Sequence, residues 1–182
     1  MNDVLQKIEI FHDIFLVKSE KFNDERGYFL ESYNKETFSS IGVSNNFVQD
    51  NLSFSLKAGT IRGLHFQKGS YGQAKLISVI SGSILDIFVD IRDDSPNYGK
   101  YFSYKLKPET GSLLIPSGFA HGFCSLEDKV LVSYKVDNFY KKQSESGIIW
   151  SDPDLDIQWP LFKNFHISDK DKKLPYLKDL LK

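Results

Sequence analysis

In the stretch TIRGLHFQKGSYGQAKL, Thr60 to Leu76, one histidine, His65, stands among apolar residues. Arg62 lies just before it and Lys75 ten positions after it. An imidazole titrates near neutral pH, so a histidine here could take and return a proton. It could equally be a strand histidine satisfied by one hydrogen bond. Arg62 and Lys75 weigh against the plainer reading, because both are costly to bury unpaired. Side chains alternate along an extended strand, so residues 62, 64 and 66 face one way and 63 and 65 the other. Arg62 and His65 share a face only if Gly63 marks a bulge or bend, which glycine permits. Alternation alone leaves the point open.

The other histidines are His12, His121 and His166. Metal sites usually draw on clustered histidine and carboxylate ligands. Here Phe66 and Gln67 follow His65, so there is no His-x-His pair, and His121 stands alone after IPSGFA. A single cysteine, Cys124, excludes an intramolecular disulfide and a multi-thiolate zinc site within one chain.

The elements that must position these residues are mostly strands. DIFLVKSEKF alternates loosely and is rich in β-branched and aromatic residues. KLISVISGSILDIFVDIR, Lys75 to Arg92, reads as two strands joined near Ser81–Ser83. In its second half Ile84, Asp86, Phe88 and Asp90 fall on one face, and Leu85, Ile87, Val89 and Ile91 on the other. DSPNYGKYFSYKL is a turn and a strand, SLLIPSGFAHGFCSL two strands about a Pro-Gly turn, and KVLVSYKVDNFY a further strand. Turn signals recur every ten or so residues, which predicts a compact antiparallel barrel or sandwich. Asn34–Gly42 fits a short helix ended by Gly42, and the tail SDKDKKLPYLKDLLK a short helical segment interrupted by Pro175. DPDLDIQWP reads as loop. No repeat, linker or low-complexity tract divides the chain, so residues 1–182 are expected to form one domain.

The 182 residues suffice for a real core. Aromatics reach 14%, which suits sheet faces, interfaces or a pocket that stacks a ring. The net charge of -1 argues against binding nucleic acid by phosphate neutralisation. The charged N-terminal stretch and the absence of any run of about 18 apolar residues predict a soluble, cytoplasmic chain.

Several motifs then occur in order: ERGYFLE, RGLHFQ, GQAKL, LDIFVDIRDDSPNYGK, LLIPSGFAHGF, YKVDNFY and WSDPDLDIQWP. Any one is weak, but the series closely resembles the dTDP-4-dehydrorhamnose 3,5-epimerase family, from about Glu25 to Asp171. The resemblance implies a mainly β, cupin-like jelly roll with a few short helices, a homodimer, and no metal or other cofactor. It implies epimerisation of dTDP-4-dehydro-6-deoxy-D-glucose to dTDP-4-dehydro-L-rhamnose, a step towards cell-surface polysaccharide. The hydrogens at C3 and C5 lie α to the C4 ketone. Removing one leaves an enolate, and returning a proton to the other face inverts the centre. Such chemistry needs a base, an opposed acid and a charge beside the enolate oxygen.

By this resemblance His65 is the base, and Asp171 of SDKD the carboxylate that orients it and steadies its protonated form. Asp169, two positions earlier, competes for that assignment. Tyr134 resembles the opposed proton donor and Lys75 the cation beside the C4 oxygen. Arg26, Glu31, Gln49, Asp50, Asn51, Arg62, His121, Glu145 and Lys170 match substrate contacts, with Arg62 suited to a diphosphate. Tyr140 matches the ring that stacks on thymine, and the Arg26–Glu31 segment is implied to serve the partner subunit's site. Where the family often has two adjacent tyrosines, this chain has Phe139–Tyr140. Epimerisation at C3 or C5 alone, another nucleotide-linked 4-keto sugar, a noncatalytic sugar-nucleotide-binding jelly roll and a metal-dependent cupin remain the alternatives.

Overall fold

The computed structural model describes residues 5–180; residues 1–4 and 181–182, the ends of the expected domain and the last two positions of the expected C-terminal segment, lie outside the described residues. The strands follow in order as β1 (Leu5–Phe11), β2 (Ile14–Ser19), β3 (Phe22–Asp24), β4 (Gly27–Phe29), β5 (Gln49–Ser55), β6 (Thr60–Gln67) and β7 (Lys75–Ser81). They continue as β8 (Ile84–Asp90), β9 (Tyr101–Leu106), β10 (Ser112–Ile115), β11 (Phe119–Ser125), β12 (Val130–Val136), β13 (Glu145–Gly147) and β14 (His166–Ile167). One sheet runs β1-β2-β10-β7-β12-β5, the other β13-β6-β11-β8-β9 with β14 added beside β6. This crossing order is that of a jelly roll, as expected. Among the described residues no helix is long and apolar enough to cross a membrane.

The main core lies between the sheets. Leu16, Ile77, Leu113 and Val132 from the first meet Ile84, Phe88, Leu106 and Phe123 from the second. On β8 the expected alternation holds. Ile84 and Phe88 point into this core, while Ile87 and Val89 point outward, where Leu155, Ile157 and Leu177 of the C-terminal segment cover them. The first sheet is covered by the helix α1 (Lys35–Ser40), whose Phe38 packs with Val17, Leu76 and Leu114. Asn34 caps α1 by accepting from the Glu36 and Thr37 N–H groups. The C-terminal expectation is refined: single 3-10 turns, Asp171–Lys173 and Leu177–Asp179, flank Pro175. One pairing departs from the antiparallel expectation, because β14 runs parallel to β6 as the tail returns along the second sheet.

Strand β6 contains the feature that alternation left open. Its Arg62 sits opposite Phe123 of β11 and its His65 opposite His121. Two residues of β6, Gly63 and Leu64, therefore face one of β11, Gly122, and the strand is bulged. The Gly63–Leu64 peptide is cis, and Gly63 has φ +121°. A methyl group on Gly63 would sit 2.6 Å from Gly122 Cα and 2.7 Å from the His121 carbonyl oxygen. Only glycine fits that close approach. The bulge resets the parity of the strand, so that Arg62 and His65 line the same cavity.

Gly63→Ala is expected to destabilise the protein by about 2–4 kcal/mol, since backbone atoms rather than a flexible side chain must give way. Denaturant unfolding checks this; a loss under about 1 kcal/mol would contradict the account of the bulge.

Candidate active site

Between the sheets lies a pocket of about 840 Å³, lined from β5, β6, β7, β11 and β12 and from the segment 166–171. His65 and Asp171 meet here: His65 Nε2 lies 2.7 Å from Asp171 Oδ1. The Gly63 N–H donates to Asp171 Oδ2 at 3.3 Å, so the bulged main chain and the imidazole hold one carboxylate. The parallel pairing of β14 with β6 delivers this part of the tail, and the Asp171 N–H donates to Ser168 Oγ at 3.1 Å. Burial pushes the Asp171 carboxyl up, but the bond and charge of His65, the Gly63 amide and Ser168 outweigh it and hold the group below the usual carboxylate range. Asp169 is not the partner: it is exposed and pairs with Lys172 at 3.2 Å.

Lys75 is buried, and its Nζ donates to the His65 carbonyl oxygen at 3.1 Å. Burial pushes its ammonium down to about 8, against the opposing charge of Asp86. His121 stands beside His65 in register and bonds Asp86 Oδ1 through Nε2 at 2.8 Å. Burial lowers its pKa; Asp86 opposes this, while Lys75 and His65 add to it. Tyr134 reaches the pocket from β12, in the sheet opposite His65. Burial raises the pKa of its hydroxyl, with Arg62 opposing, so it carries its proton at neutral pH.

At the mouth, Arg62 donates to Ser55 Oγ at 3.2 Å and to the Phe54 carbonyl at 2.7 Å. The Tyr140 hydroxyl donates to Glu145 at 3.0 Å, and Lys170 pairs with the same carboxylate. Gln67 accepts from the Lys141 N–H and donates to the Phe139 carbonyl, which fixes the segment that carries Tyr140. The pocket thus presents a basic, donor-rich lining, with Asp171 and Glu145 engaged by their own partners. Among the described residues no three His, Cys, Asp or Glu side chains converge as metal ligands.

Residues 9–179 match the family model for dTDP-4-dehydrorhamnose 3,5-epimerase. The chain belongs to this family. It is 46% identical over 161 residues to the dTDP-4-dehydrorhamnose 3,5-epimerase of Shigella flexneri, covering 87% of this chain and 88% of that relative. The crystal structure of the Bacillus anthracis enzyme, with TDP and PPi bound, superposes with a TM-score of 0.90 at 47% identity, covering 94% of this chain and 99% of the other. That of dTDP-6-deoxy-D-glucose-3,5-epimerase from Legionella pneumophila, in complex with dTDP-4-keto-L-rhamnose, superposes with a TM-score of 0.89 at 36% identity, covering 96% and 93%.

In this family member the fold brings His65, Lys75, Tyr134, Asp171, Arg62, His121, Tyr140, Glu145 and Lys170 to one pocket. Other expected contacts do not line it. Gln49 donates to Asn51 and accepts from the Tyr140 N–H. Asp50 pairs with Lys135 on the outer side of β5 and β12. Arg26 pairs with Asp24 in the β3–β4 turn, and Glu31 accepts from Asn34 and Thr37. Sequence reasoning passed over Asp86, which lies behind the pocket and bonds its lining residue His121. Its signal was a carboxylate on the face of β8 that also carries Ile84 and Phe88.

Lys75 yields a stability prediction. Its group binds a proton up to about pH 8 when folded and to roughly 10.4 when unfolded. Between those values the unfolded chain holds more protons, so this residue makes stability rise with pH across the window. Lys75→Met is expected to remove that rise and to add about 1–3 kcal/mol at pH 7. Denaturant unfolding at pH 7 and pH 10 checks both; an unchanged pH slope would contradict the burial of an ammonium here.

Proposed function

We propose that the chain converts dTDP-4-dehydro-6-deoxy-D-glucose to dTDP-4-dehydro-L-rhamnose by epimerising C3 and C5. The observation that carries this reading is His65 on one sheet, paired with Asp171 from the tail, set against Tyr134 on the other sheet, with Lys75 buried in the same pocket. Because Nε2 of His65 is engaged by Asp171, the Nε2–H tautomer leaves Nδ1 as the base. The C–H bond at C3 or C5 breaks, its proton passes to Nδ1, and the electron pair moves into the C4 oxygen as an enolate. The Lys75 ammonium stabilises that oxygen, where a buried charge counts most. The Tyr134 hydroxyl returns a proton to the opposite face; the tyrosinate then takes a proton from solvent and the His65 imidazolium gives one up to it, which resets both groups. The bond to Asp171 steadies the imidazolium in between. Atoms and charge balance without a redox partner. Arg62 and Lys170 at the mouth suit the diphosphate, and Tyr140, held by Glu145, offers a ring to the base.

The dimer belongs to the same proposal. The β3–β4 hairpin that carries Arg26 presents Phe22, Tyr28 and Phe29 to solvent, Phe29 at 70%. Leu52 and Phe54 on β5, and Leu56 just after it, are exposed at the open edge of the first sheet. A second copy covering these surfaces would carry Arg26 and Glu31 to the neighbouring pocket.

In deuterated water, deuterium is expected at both C3 and C5 by NMR. Exchange at one carbon would reduce the activity to a single centre, and binding of dTDP without exchange would overturn catalysis. His65→Ala and Tyr134→Phe should each lose about 10²–10⁴-fold in kcat; a full-rate His65→Ala protein would refute its role. The rate should also fall above about pH 8, where Lys75 loses its proton. If Arg26 serves the partner, mixing inactive Arg26→Ala and His65→Ala chains should restore activity, because one site of each mixed dimer is intact. No recovery, with subunit exchange shown by mass spectrometry, would sink the shared site.

A further inference from the structure

Asp86 does not line the pocket, yet it is bound up with its charges. It is fully buried on β8, between Ile84 and Phe88 on the strand's inward face. Its Oδ1 accepts from His121 Nε2 at 2.8 Å. Its Oδ2 is buried and has no hydrogen-bond partner among the described residues. Leaving a carboxylate oxygen unpaired in a core is expensive, and an apolar side chain would fill the position without that penalty. The carboxylate therefore answers to a charge. Two basic groups stand within its field. His121 is in contact with it, and the Lys75 ammonium, which donates to the neutral His65 carbonyl, is favoured by its charge.

We propose that Asp86 is a positioning residue for the epimerisation: it holds His121 as the Nε2–H tautomer with Nδ1 free towards the pocket, and it supplies the negative charge that Lys75 faces inside the barrel. Nδ1 of the neutral ring is then an acceptor suited to a sugar hydroxyl. The inference rests on the reading of Lys75 as counter-charge to the enolate. The surrounding groups agree with it. His65 on β6, His121 on β11, Tyr134 on β12 and Arg62 at the mouth surround Lys75 on β7 in the same lining. The other carboxylates are engaged elsewhere, Asp171 by His65 and Gly63 and Glu145 by Tyr140 and Lys170. Asp86 is thus left to balance the interior.

Asp86→Asn tests the charge, since its amide oxygen can still accept from Nε2–H while the charge is gone. Titration of 15N-labelled lysine in the substrate-free protein, with the Lys75 signal assigned by its loss in Lys75→Arg, is expected to shift down by roughly one pH unit. The alkaline limb of kcat should move with it, and kcat should fall by about 10-fold to 100-fold, with KM changing much less. 15N-histidine spectra of the unaltered protein should place the neutral His121 proton on Nε2. An unmoved Lys75 titration in a folded Asp86→Asn protein, or a His121 proton on Nδ1, would overturn the proposal. These spectra need no turnover. A protein that fails to exchange solvent deuterium would defeat the catalytic reading while the titration still decided the link between Asp86 and Lys75.

Discussion

The 2.7 Å bond between His65 and Asp171 ties together parts of the chain separated by more than a hundred residues. Most of what is distinctive in the architecture is needed to make it. The histidine is turned inward by a bulge that depends on Gly63 meeting Gly122 at backbone contact. The aspartate arrives because the chain, after β13, crosses the outer face of the second sheet and lays β14 parallel to β6. That crossing is held by Leu155, Ile157 and Leu177, which bury the outward face of β8 and Leu64. Apolar burial on the outside of the sheet therefore positions a carboxylate on the inside.

The second constraint is desolvation. The barrel interior holds Lys75, Asp86 and His121 alongside Phe123, Ile77 and Val132. Each group is costly there, and burial moves the protonation of both Lys75 and His121 towards the neutral form. The compensation is partial. Asp86 opposes the shift for both, and its second oxygen remains unpaired among the described residues. A core built for stability alone would not contain this set. The same low dielectric strengthens an ammonium's hold on a developing enolate.

Much of the scaffold was legible in the chain because its signals are local. Period-two alternation marked the faces of β8, Asn34 and Gly42 bounded α1, and Pro-Gly punctuation separated β10 from β11. Asp171 was harder. Within SDKD it reads as one more charge in a lysine-rich tail, and only its distance to His65 separates it from Asp169, which points to solvent. Arg26 stayed outside the pocket because its β3–β4 hairpin is exposed along both strands, and Glu31 because it turns to Asn34 and Thr37 at the start of α1.

By itself the sequence determined the β-rich class, the order of the strands and the set of chemical groups available, since composition and alternation act over a few residues. It also carried the family, through motifs spread over most of the chain. Tertiary structure alone decided which groups meet. Whether Arg62 and His65 share a cavity turned on one extra residue opposite Gly122. The histidine's partner turned on a parallel strand pairing with the tail, and the protonation of Lys75 on its burial. Each of these depends on through-space distance and desolvation, which the packing of the two sheets creates and no local pattern encodes.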